Sequence, residues 1–137
     1  MNRETKIAEL LVRDNEVRSE FYVMLAERCM TGLMPVVCSA FEKCLHREVP
    51  ILPKIVICVN EWNLPEGKVG RYEMPNTERD YGVMTINPGA FDGSKASYWY
   101  VIAHELIHAL LGPESDPHND DFEAIATELD IPERYRD

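Results

Sequence analysis

A chain of 137 residues is long enough to bury one modest core and too short for two, so a single domain spanning 1–137 is expected. Hydrophobic residues at 45% and charged residues at 28% belong to a soluble globular chain, and no apolar run approaches the ~20 residues of a membrane span. With 24 acidic residues against 14 basic the net charge is −10; without a segregated basic patch this repels polyphosphate backbones and argues against direct nucleic-acid binding.

The N-terminus, MNRETKIAELLVRDNE, carries charge throughout and lacks the apolar centre of a secretory signal, which predicts a cytoplasmic location. Its continuation is helical. Ile7, Leu10, Leu11, Val17, Phe21, Met24 and Leu25 fall on one face, with Gly32 as the expected stop. Pro35 is then expected to open a second helix whose stripe is Val36, Val37, Ala40, Phe41, Cys44 and Leu45, ended by Pro50 and Pro53. Residues 1–48 read as a helical scaffold without chemistry, and His46 as a helix-end residue rather than a ligand. Cys29, Cys38, Cys44 and Cys58 form no CxxC pair, which excludes a zinc ribbon; they read as reduced, mostly buried thiols.

Residues 54–137 are expected to carry a sheet and the remaining helices. KIVICVNEW reads as one strand, VGRYEM as a second, and residues 82–87 as a third, ended by a Pro88-Gly89 turn. The next helix has Ser94 as its N-cap, a buried stripe of Trp99, Ile102, Ala103, Leu106 and Leu110, and a stop at Gly112-Pro113. A last helix over about 120–129, capped by Asn119, buries Phe122, Ile125, Ala126 and Leu129, while Asp120 and Asp121 suit its N-terminal dipole. Helices, a small mostly antiparallel sheet, then helices in blocks define an α+β fold.

The chemistry lies in His104-Glu105-Leu106-Ile107-His108, an HExxH pattern. Residues four apart stack on one helical face, so His104 and His108 can aim two imidazole nitrogens at one zinc ion. Glu105 lies about 100° round from His104, beside the metal, where its carboxylate can act as general base on a water that zinc has acidified. Chance delivers such a pattern in this composition on the order of once in a hundred chains. Two solvated histidines on a surface helix are the bland alternative. The helix caps, the apolar flanks and a third histidine ten residues on at His118 weigh against it. A catalytic zinc takes three protein ligands and keeps a fourth position open. His118 is the expected third, with Glu123, Asp116, Asp120 and Asp121 as rivals; Asp120 or Asp121 could instead orient a ligating histidine. Tyr72 and Tyr81 are candidate donors to a transition state or ordinary strand aromatics.

With "GVMTINPGAF", "VIAHELIHALLG" and His118 followed by Asp121-Phe122, the second half of the chain resembles the SprT-like (Spartan-type) zinc metallopeptidases, a minimal HExxH zincin group. The resemblance implies one zinc per chain held by His104, His108 and His118, Glu105 as general base, a protein or peptide substrate, and a small sheet packed on the active-site helix. It also implies that the strand ending in "VMTIN" lines the cleft and pairs with substrate through its edge. The loop between His108 and His118 is short for the Spartan type and no zinc ribbon follows, which favours a stand-alone peptidase over one acting on DNA-bound substrates. The small size fits a phage or mobile-element protein. The competing functions are a zinc hydrolase on a non-peptide substrate and a catalytically silent zinc-binding interaction module; Glu105 argues against the latter, since a structural site needs no base.

Overall fold

The computed structural model describes residues 2–136 except 61, 63, 66, 93–96 and 114–117, and of residues 8–18, 92 and 97 only the backbone. The Ser94 cap, the rival ligand Asp116 and the side chains of Leu10, Leu11 and Val17 therefore lie outside the described residues. The chain folds as a small α+β domain.

Its first helix, α1 (Arg3–Leu45), is capped by Asn2, whose Oδ1 accepts the Thr5 N–H at 2.8 Å. It runs unbroken through Gly32 and Pro35, where the sequence predicts two helices. A proline inside a helix removes one backbone bond and costs ~3 kcal/mol. Beyond Pro35, however, Val37, Ala40 and Phe41 continue the buried stripe begun by Ala26 and Leu33. Each large side chain buried in that stripe contributes about 1.5–3 kcal/mol, which together outweighs the proline. The helix closes as expected at His46, in the left-handed region (φ 52°), with its N–H donating to the Glu42 carbonyl at 2.9 Å.

Within α1, Ser19–Leu45 is long and apolar enough to cross a membrane by length and composition, with a mean hydropathy of 1.3; the expectation that no stretch approaches a span is corrected accordingly. Core helices pass the same test, but only 17% of this stretch's apolar window is buried: Leu33, Val37 and Phe41 pack against the rest of the domain, while Phe21, Met24 and Val36 are exposed. The four cysteines are free and half-buried, less enclosed than expected. Burial raises the Cys29 thiol to about 11 and pushes Cys38 and Cys44 upward as well, so these three remain protonated at neutral pH.

Three strands follow: β1 (Ile55–Val59), β2 (Gly70–Glu73) and β3 (Gly82–Ile86), in the order β1-β3-β2. The pair β1/β3 is parallel and β2/β3 antiparallel, so the sheet is mixed and not mostly antiparallel. The long excursion between β1 and β3 lets the chain return in the same direction, while β2, inside that excursion, takes the outer edge. As the central strand, β3 buries Met84, Thr85 and Ile86 completely. The Thr85 hydroxyl is buried with no hydrogen-bond partner among the described residues. Thr85→Val should therefore stabilise the protein by about 1 kcal/mol, read as a rise of roughly 3–5 °C in Tm by calorimetry.

Pro88-Gly89 opens a single helical turn, α2 (Gly89–Asp92), rather than a plain turn, with Asn87 Oδ1 accepting the Gly89 N–H at 2.8 Å. The helix α3 (Ser97–Leu111) packs on α1, α4 and the sheet, and Ile102, Ala103, Leu106 and Ile107 are fully buried. It stops where expected, at Gly112 (φ 81°). The helix α4 (Asp120–Glu128) starts at its expected cap, Asn119 Oδ1 accepting the Phe122 N–H at 2.9 Å. A 3-10 turn, Glu133–Tyr135, brings the C-terminal segment back onto α3.

Candidate metal centre

From Val101 to Leu111 every residue of α3 is buried except the half-buried His108, and His104 and His108, one turn apart, form part of the wall of a cleft. His118 lies outside α4, immediately ahead of its Asn119 cap. The three rings form an equilateral triangle, with centroids 4.9 Å apart on every side. Their Nε2 atoms point inward: His108 Nε2 is 3.2 Å from His104 Nε2 and 3.0 Å from His118 Nε2.

Phe122 lies against all three rings at 4.9, 4.8 and 3.9 Å, stacked within 7° of His118. The aromatic of the Asp121-Phe122 pair is thus the floor that fixes the triangle. The other side opens into a cleft of about 480 Å³, whose walls include Lys68, Gly70, Arg71 and Tyr72.

Such a cluster could hold a metal ion. His104 Nδ1 lies 2.6 Å from the Tyr135 carbonyl, which accepts its N–H and so fixes the tautomer with the Nε2 lone pair facing its neighbours. Burial first, then the adjacent histidines, lower His104 to about 3 and His108 to about 4, so both rings are uncharged at neutral pH. Without an ion, a ring proton on His108 Nε2 can be donated to His104 or His118; with one, all three Nε2 lone pairs can turn to the metal. Around a tetrahedral zinc with 2.0–2.1 Å bonds, ligand nitrogens stand about 3.3 Å apart, within a few tenths of an ångström of the spacing seen. The donor set fits that ion.

Glu105 stands beside the triangle. Its Oε2 is 4.0 Å from His104 Nε2, and the residue is buried. The carboxylate is wedged between α3 and the edge strand because Gly70 has no side chain: a Cβ there would lie 2.6 Å from Val101 Cγ1 and 3.3 Å from Glu105 Oε2. Any larger residue at 70 would push β2 off the helix.

The described rival ligands, Asp120, Asp121 and Glu123, are elsewhere. Asp120 and Asp121 are exposed, and Glu123 pairs with Arg136 at 3.0 Å. The outer partner of His104 is a backbone carbonyl, not either aspartate. Tyr72 lines the cleft, with its ring over Gly82, whereas Tyr81 is exposed and stacks under Arg79. The strand ending in "VMTIN" is also corrected. It is β3, flanked on both sides, so it has no edge to offer. The cleft is bordered instead by β2, where the Asn87 N–H to Val69 carbonyl bond sets the alternation and turns the Gly70 and Tyr72 backbones away from β3.

In the metal-free protein the low histidine values predict a pH dependence. Unfolding lets both rings take up protons below about 6.5, whereas the folded chain binds them only near 3 and 4. Their contribution to stability is complete above 6.5 and falls as pH drops from there towards 4. Melting of chelator-treated protein across that window should show the decline, and His104→Gln should flatten it.

Comparison with protein-family models, with curated proteins and with solved structures finds no match.

Proposed function

We propose that the chain is a zinc-dependent peptidase of the SprT-like kind, hydrolysing peptide bonds with Glu105 as general base. The observation that carries this is the pairing of three convergent imidazoles with one buried carboxylate outside the ligand set, all at the wall of an open cleft. A structural zinc site closes its coordination and has no use for such a carboxylate.

His104, His108 and His118 hold the ion, Phe122 sets their geometry and the Tyr135 carbonyl orients His104. Bound zinc would lower the pKa of a water towards neutrality and polarise the substrate carbonyl. Glu105 takes the proton from the attacking water and returns it to the leaving amine. The outward backbone of Gly70 and Tyr72 suits a peptide laid along β2 as an added strand, which would carry the scissile bond past Glu105.

The test is digestion of a diverse peptide library by purified protein and by Glu105→Gln, with metal analysis of both. About one zinc per chain and cleavage by the wild type alone support the reading. A zinc-loaded wild type that cuts no peptide overturns it.

A further inference from the structure

Among the described residues around His104 and Glu105, cations outnumber acids, opposite in sign to the chain as a whole. The sequence has 24 acidic residues against 14 basic, yet the metal cleft and the crevice adjoining it are lined by Lys68, Arg71 and Arg134. Among the described lining residues Glu105 is the one acid, and the reaction proposed above already uses it.

Lys68 stands at the centre of this arrangement, since it borders both hollows together with Gly70, His104 and Glu105. Its backbone N–H donates to the Pro65 carbonyl at 3.0 Å, and Gly67 (φ 82°) turns the chain just before it. The turn sets Lys68 two residues ahead of β2. Arg71 comes from β2 itself; it approaches Glu73 at 3.8 Å with both side chains substantially exposed, a contact a better anion can exchange.

Cations beside a metal that is itself positive repel a basic substrate and attract an anion. Resting on the peptidase reading, we propose that Lys68 and Arg71 form a carboxylate-reading subsite, so that the preferred peptide carries a carboxylate next to the bond cut. Two sources supply that group: an aspartate or glutamate side chain, or the free C-terminus of a short peptide.

The experiment uses zinc-loaded protein and peptides identical except for Glu, Gln or Lys beside the scissile position, plus the Gln peptide with a free or an amidated C-terminus. Wild type should favour the carboxylate-bearing member about tenfold in kcat/KM, the low end for a charged hydrogen bond at a partly solvated site. Lys68→Ala and Arg71→Ala, both at exposed positions, should shrink that ratio towards one, and 0.5 M salt should weaken it. A large Glu/Gln ratio identifies the side chain as source; a large free/amidated ratio identifies the C-terminus. Ratios near one for both in the wild type overturn the proposal. So does an equal loss of kcat on all peptides in Lys68→Ala, which would make Lys68 a general stabiliser of the transition state.

Binding of the same peptides to Glu105→Gln, followed by fluorescence anisotropy, separates this from the peptidase reading. If nothing is cut but Glu peptides bind more tightly than Gln ones through Lys68, the subsite stands and the reaction falls. Charge-independent binding sinks the subsite. An oligonucleotide that displaces the peptides and depends on Lys68 would replace the carboxylate with phosphate.

Discussion

Glu105→Gln is expected to keep its metal and lose turnover by about 10²–10⁴-fold, the usual worth of a positioned general base. Glutamine has the shape and the acceptor oxygen of glutamate but cannot take a proton near neutral pH. The substitution should spare metal binding because Glu105 is outside the ligand triangle: its Oε2 is 4.0 Å from His104 Nε2, against 3.0–3.2 Å between the histidine nitrogens. It should spare the fold as well, since the amide fits the slot between Val101 and Gly70 that the carboxylate occupies. Elemental analysis, melting temperature and peptide turnover on one preparation make the check. Wild-type activity would remove Glu105 from the mechanism, and loss of the metal would move it into the coordination sphere.

What the sequence disclosed and what it hid divide along a physical line. The helix carrying HExxH, its stop at Gly112 and the Asn119 cap of α4 are local events, decided by residues within one turn of each other, and each is where the sequence puts it. The α+β class follows from the same local periodicities. Pro35 misled because its penalty is local while the gain that overrides it, burial of Val37 and Phe41 against other elements, is not. The parallel pairing of β1 with β3 is likewise non-local: a strand's residue types do not state its neighbour's direction.

The site shows the same division. The three histidines and Glu105 are legible as residue types at helical and loop spacings. The partner of His104 is not, because the Tyr135 carbonyl belongs to a backbone that any residue at 135 would supply. Nor is the role of Gly70, whose missing side chain matters only because β2 runs against α3. Net charge is the clearest case of an average hiding a local fact. A chain at −10 argues against anionic partners as a whole, yet among the described residues its candidate site gathers Lys68, Arg71 and Arg134 around a single acid.

His118→Ala should cost the protein its metal. Loss of an outer hydrogen-bond partner lowers metal affinity about 10–100-fold, and loss of one of three direct ligands must exceed that. His104 and His108 alone offer two nitrogens on one helix, too few for a tight site. Metal content should fall well below one per chain after dialysis. A metal present at about 100 times its Kd contributes about 2.7 kcal/mol to the wild type, so the variant should melt roughly 10 °C lower under the same conditions. Stripped of metal, the two proteins should melt within about 2 °C of each other, because His118 is only half-buried and its chief packing partner, Phe122, keeps its place in α4. That comparison separates ligation from packing. If His118→Ala retains its metal in full, a carboxylate at 116, 120, 121 or 123 must be the third ligand. If both forms instead melt far below the wild type, the stacking of His118 on Phe122 matters more to the fold than to the ion.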